Sequence, residues 1–205
     1  MSYTYTRFLF PSMSWLNAFS RKDAKDWYEL YVAKIPERLQ VLQGYVNSTP
    51  GFEAWELGYE PETVRMLERW FIGHVELRLQ TTEELEQYYA SVPERFKNLP
   101  TIVTTLTDET NSLVVDMSMY FGEYMRHEDT GLQWNLCVNG KKNVEYQNPV
   151  IVGSGFIPQN PRGLMDVFAL KVGDKTQKPD YLINLKNTWI PILWLERKTP
   201  PKKEN

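Results

Sequence analysis

Asp116, Glu123 and His127 are the residues whose types and spacing best suit chemistry. They stand at i, i+7 and i+11 on a stretch whose pattern predicts a helix from Asp108 to His127. At about 100° per residue they share a narrow sector of one helix face, with Tyr120 adjoining it. Two carboxylates and an imidazole are the groups that hold a divalent metal, or that form an acid/base pair around a tuned histidine. The plainer reading makes them the polar flank of an amphipathic helix whose apolar side is Leu113, Met117, Phe121 and Tyr124. The plainer reading is preferred, so no catalytic, cofactor or metal residue is assigned.

The other candidates are fewer. His74 lies in the aromatic stretch Trp70-Phe71-Ile72-Gly73-His74 and reads as a core-edge residue. Cys137 sits in an alternating strand without neighbours that would activate a thiolate, and reads as structural. Gly153-Ser154-Gly155 lacks the further glycine and the Lys-Ser/Thr of a phosphate-cradling loop. No Gly-x-Ser-x-Gly elbow is present. One cysteine and two histidines exclude Cys-rich and His-rich metal centres. No cofactor is expected.

Capping signals mark the elements that must position these residues. Ser20 with Asp23 opens a helix along Trp27, Leu30, Tyr31 and Ala33 to Ile35. Pro36 either kinks it or starts the next, which continues through Leu39, Leu42 and Val46. Pro61 opens a second helix, and Thr81 with Glu84 a third. Residues 3–10 alternate weakly, as a short strand would. Pro93 and Pro100 bracket a helical turn or a loop. Gly131 ends the Asp108 helix, and the character of the chain then changes. Leu132, Trp134, Leu136 and Val138 alternate as a half-buried strand. An Asn139-Gly140 turn leads to partner strands at Val144–Tyr146 and Val150–Val152. Asn160-Pro161 caps a short helix, and Tyr181 to Trp194 fits either a helix or a strand.

These signals predict an α+β fold: a helical N-terminal two-thirds packed against a small antiparallel sheet, with a short C-terminal helix. Residues 1–197 are read as one domain and 198–205 as a disordered tail. The 205 residues suffice for a well-formed core, and the 42% hydrophobic share is that of a soluble globular protein. With one cysteine and no signal-peptide or membrane-spanning pattern, the expected location is cytoplasmic, with no membrane partner.

Charge is unevenly placed. From Arg162 onward there are nine basic and five acidic residues, a balance of +4. The preceding 161 residues carry 14 basic and 21 acidic, a balance of −7. An acidic front argues against nucleic acid and suits a basic protein partner. The basic end (Arg197, Lys198, Lys202, Lys203) is read as a solvated tail. Seven Trp, 12 Tyr and nine Phe fit either a large core or a sticky surface. Trp27, Trp70 and Trp134 follow apolar stripes and are read as core. Trp15, Trp55, Trp189 and Trp194 lie in less regular segments, where burial under loops is expected and exposure would mark an interface.

Three segments form a recurring order: WYELYVAKIPERLQVLQ from Trp27 to Gln43, YEPETVRMLERWF from Tyr59 to Phe71, and YFGEYM from Tyr120 followed by WNLCVNG and NPVIVG. This order resembles an uncharacterised family of bacterial α+β proteins associated with toxin–immunity gene clusters. The resemblance implies a bacterial origin and a partner-binding role, and it brings no catalytic residues with it. The expected function is therefore a non-enzymatic, immunity-type inhibitor of a toxin. A metal-assisted hydrolase or a small-ligand-binding protein is the alternative.

Overall fold

A computed structural model describes residues 4–8, 16, 18–96, 103–138 and 140–196. Among the described residues, six α-helices and two small antiparallel sheets make an α+β fold. In chain order these are α1 (Arg21–Asn47), α2 (Pro61–His74), β1 (Leu77–Leu79), α3 (Thr82–Ser91), β2 (Thr104–Leu106), α4 (Asp108–Glu128), β3 (Gln133–Leu136), β4 (Pro149–Val152), α5 (Pro161–Gly173) and α6 (Tyr181–Leu193). A 3₁₀ turn, Glu94–Phe96, follows α3.

The helix starts form where the local signals put them. Ser20 Oγ accepts the Asp23 N–H at the head of α1, and Pro61 stands in the first turn of α2. Thr81 and Glu84 complete a reciprocal capping box on α3. Asn160 Oδ1 accepts the N–H groups of Arg162 and Gly163 before Pro161 leads α5. α6 has no cap of its own. Glu68, buried on α2, supplies one: its two carboxylate oxygens accept the N–H groups of Tyr181 and Leu182 at 3.0 and 2.9 Å.

α4 is the axis of the molecule. Leu113, Met117, Phe121 and Tyr124 are buried as expected, and most of the helix's other faces are buried too. It packs against α1 and α5, while α2 packs against α6. β3 touches α1 and pairs with β4 in the register Trp134↔Ile151 and Leu136↔Pro149. Gly122 on α4 lets the Trp134 ring of β3 lie against that helix: a Cβ there would stand 2.1 Å from the ring.

Several expectations are corrected. α1 runs unbroken through Pro36, which occupies its exposed side. Leu30 and Ala33 are exposed; the buried face is Tyr31, Ile35, Arg38, Leu39, Leu42 and Val46. Residues 4–8 form no strand, and the rest of the 3–10 segment lies outside the described residues. Val144–Tyr146 is a run of turns, closed by Asn143 N–H to Gly140 O and Tyr146 N–H to Asn143 O. Among the described residues, only Pro149–Val152 pairs with β3. β1 and β2 were not expected: they join Leu77 to Leu106 and Leu79 to Thr104 across α3. Tyr181–Leu193 is a helix, with Pro191 in its last turn. Trp70 and Trp55 are buried, whereas Trp27, Trp134 and Trp189 are half-buried. Trp15, Asn139 and the 198–205 tail lie outside the described residues.

Candidate functional site

The three residues singled out by spacing do not meet. They share a face, but seven residues of helix rise about 10 Å and eleven about 16 Å. Metal ligands must converge on a point about 2 Å from each. No group of three or more His, Cys, Asp and Glu side chains among the described residues is placed to hold a metal.

Each of the three has other work. Glu123 accepts the Trp134 indole N–H at 2.7 Å and pairs with Arg126 at 2.8 Å. Its role is to pin β3 onto α4. His127 is exposed, with its ring centroid 4.8 Å from that of Tyr59. Asp116 is fully buried and belongs to a different cluster altogether.

That cluster is a network of buried and half-buried polar contacts. Asp116 Oδ1 accepts from Arg38 Nε at 2.8 Å, and Oδ2 from Arg38 Nη2 at 2.7 Å, a bidentate pair. Arg38 is likewise buried. The Tyr5 hydroxyl donates to Asp116 Oδ2 at 2.5 Å and lies 3.1 Å from Ser112 Oγ. Arg38 Nη1 donates to Thr6 O at 2.7 Å, and the Phe8 N–H donates to Ser112 Oγ at 2.7 Å. Residues 4–8 therefore lie over the ion pair as a strap, with the Tyr5 and Phe8 rings about the guanidinium.

The electrostatics follow from burial. Desolvation, with the Asp116 charge beside it, drives the Tyr5 phenol far above its ordinary range, so it stays protonated and donates. Burial alone would lower Arg38, but its bonds to Asp116 outweigh that and hold the guanidinium charged. Next to this cluster, Tyr45 stacks on Tyr5 at 4.8 Å and donates to Glu109 at 2.8 Å; burial and that bond push its phenol up to about 12. His74 stacks on Trp70 at 4.3 Å, and its Nδ1 lies 2.7 Å from Trp70 O. Since a carbonyl only accepts, that nitrogen carries the hydrogen, and His74 is the core-edge residue expected.

Each guanidinium nitrogen of Arg38 and each carboxylate oxygen of Asp116 has a partner within the chain, so the cluster acts as an internal clamp. A signal for it exists in the sequence. Arg38 interrupts the apolar stripe of α1 three residues after Ile35, and Asp116 interrupts that of α4 three residues after Leu113. Two opposite charges on two core-facing stripes must find each other.

A concave feature lies elsewhere. A cleft of 660 Å³ lies against the β3–β4 ribbon, lined by Asn135, Cys137, Val138, Val150, Val152 and Phe156, among others. Cys137 is buried, with its sulfur 3.7 Å from Asn143 Nδ2.

No family model, curated protein or solved structure matches this chain.

Proposed function

We propose that the chain is a non-enzymatic protein-binding protein, an immunity-type inhibitor whose partner is a basic toxin. The observation that carries this reading is the surface of α3. None of its described side chains is buried, yet Tyr88 and Tyr89 are 46% and 40% exposed beside Glu83 and Glu86. Leu79, on the adjoining β1, is 71% exposed. Tyrosines amid carboxylates supply both the apolar anchors and the charge complementarity that a basic protein surface needs. A ten-residue helix is marginal on its own in water, and one with no buried side gains most by being covered.

The test is capture of a partner from the bacterial host by the wild-type protein and by a Tyr88→Ala/Tyr89→Ala variant. One stoichiometric basic partner, lost in the variant and weakened by salt, is the expected result. Relief of that partner's toxicity on co-expression supports the immunity role. Equal capture by both proteins, or none by either, overturns the reading.

The small-ligand alternative has the cleft beside β3–β4 in its favour. Of the rings in the chain, however, that cleft uses Phe156, where a ring-lined pocket would gather several Trp and Tyr. The hydrolase alternative loses its metal set with the separation of Asp116, Glu123 and His127.

A further inference from the structure

We propose that the open edge of β3, with the groove between that strand and α1, takes an acidic peptide as a further, extended strand. In an antiparallel pair, alternate residues turn both backbone groups toward the partner strand, and those between turn them away. Cys137 donates its N–H to Asn148 O at 3.0 Å just beyond the strand ends, and that bond sets the phase. Gln133 and Asn135 therefore face β4, while Trp134 and Leu136 face outward. Ile151, opposite Trp134, faces outward on the other side, where Gln159 meets its N–H and C=O at 2.7 and 2.9 Å. The ribbon thus has one edge met at Gln159 and one left open. The N–H and C=O of Trp134 and Leu136 meet no partner among the described residues. Such an edge is a template for another strand.

A groove of about 240 Å³ runs between α1 and the same strand. Arg21, Ala24 and Lys25 line it from α1, and Leu136, Val138 and Gln147 from the ribbon. Leu136 therefore belongs both to the open edge and to the groove. Ala24, Leu136 and Val138 suit an apolar side chain of an incoming strand, and Val138 is 52% exposed. Gln147 is buried, and its Nε2 donates to Leu16 O and Phe19 O. Its Oε1 accepts from no described residue, which leaves an acceptor for an amide N–H.

Charge selects the occupant. Arg21 and Gln147 also line a neighbouring groove, together with Lys141 and Tyr146. Among the described residues, no acid lines either groove. Arg21, Lys25 and Lys141 are all exposed. Arg21 and Lys141 have no ion pair among the described residues, and Lys25 has a solvent-exposed contact with Glu29 at 3.5 Å, a weak competitor. Carboxylates on an incoming strand complement these three cations. A nucleic-acid backbone would meet the charge too, but it brings no row of N–H donors for the Trp134 and Leu136 carbonyls. A peptide backbone supplies donors and acceptors at the strand repeat. A second copy of the chain would bring like charges to this edge. The site uses none of the α3 residues, so it and the interface proposed there can fail separately.

The experiment is a fluorescence-anisotropy titration of the full chain against a short, capped, dye-labelled peptide that alternates valine with glutamate. One control alternates valine with lysine, and a second is the glutamate peptide N-methylated at every amide, which keeps its charge and loses its donors. Binding of the glutamate peptide, weakened by salt, is expected, with both controls about 10-fold weaker or worse. Arg21→Gln and Lys25→Gln each weaken it by about 2- to 5-fold. Val138→Asp, which sets a like charge on an exposed position and leaves thermal unfolding unchanged, weakens it by about 10-fold. No binding at millimolar peptide overturns the proposal, as does equal affinity for the lysine or the N-methylated peptide. So does binding that the Arg21→Gln/Lys25→Gln double variant leaves intact. Tighter binding of single-stranded oligothymidine would assign the cations to nucleic acid instead. A dimer that forms without peptide and is dissolved by Val138→Asp would assign the edge to a second copy; either result overturns the peptide reading.

Discussion

The clamp between α1 and α4 and the helix α3 are both built from charged and aromatic residues, yet they are held in opposite ways. At the clamp, Arg38 and Asp116 are buried and every bond closes inside the chain. On α3, Glu84 closes a capping box and pairs with Arg78 at 2.6 Å, and the helix faces water. Burial makes the first cluster rigid and chemically closed. Exposure leaves the second available to a partner and only lightly stabilised. The same residue types are structure in one place and surface in the other, and the surrounding dielectric decides which.

Breaking the clamp gives the largest effect. Asp116→Ala leaves a buried guanidinium without its partner and is expected to cost about 3–5 kcal/mol in denaturant unfolding. The double variant Arg38→Met/Asp116→Leu removes both charges and recovers most of that loss. A single Asp116→Ala within 1 kcal/mol of wild type would mean that the pair is not closed as described.

Gly122→Ala comes next. Its new Cβ meets the Trp134 ring, so the ring or β3 must shift, at a cost of about 1–3 kcal/mol or more. Helix propensity alone predicts the opposite sign, a gain of up to about 1 kcal/mol. The direction of the change in melting temperature therefore decides whether packing or propensity rules this position. On α3, Thr81→Ala removes the cap and costs about 1 kcal/mol locally. Hydrogen exchange of Leu85 to Ala90 amides should rise while α4 amides stay protected. A global fall in protection would show that α3 is cooperative with the core after all.

The parts of the fold legible in the sequence are those decided within a few residues. Ser20–Asp23, Thr81–Glu84 and Asn160-Pro161 each satisfy orphan N–H groups locally, so their pattern suffices to place a helix start. What escaped is set by distance along the chain. β1 and β2 are three residues each and lie on either side of α3, so neither carries a period worth reading. Arg38 and Asp116 are 78 positions apart, and only the two broken apolar stripes announce them. Asp116, Glu123 and His127 misled for a geometric reason: angular coincidence on a helix says nothing about separation along its axis. Trp194 was expected beneath a loop; its exposure follows from Gly131, over which its ring lies, and from its bond to Asp129.

The smallest effect concerns the ion pair that ties α3 to β1. Arg78 and the Thr81 N–H hold the Glu84 carboxyl well below its ordinary value of 4.5, at about 2. A carboxylate whose folded value is depressed stabilises the fold above its unfolded value, and that contribution is lost as pH falls through the folded one. The loss therefore runs from about pH 4.5 to about pH 2. Exposure to solvent keeps it modest, and salt weakens it further. Across that window, exchange of the α3 amides should accelerate before those of α4 respond. The Glu84→Gln variant, which keeps an acceptor for the Thr81 N–H but forfeits the charge opposite Arg78, should start from the faster rate and show little of the pH dependence. If wild type and Glu84→Gln exchange alike across the whole window, the Arg78 pair contributes nothing, and α3 is held by its capping hydrogen bonds alone.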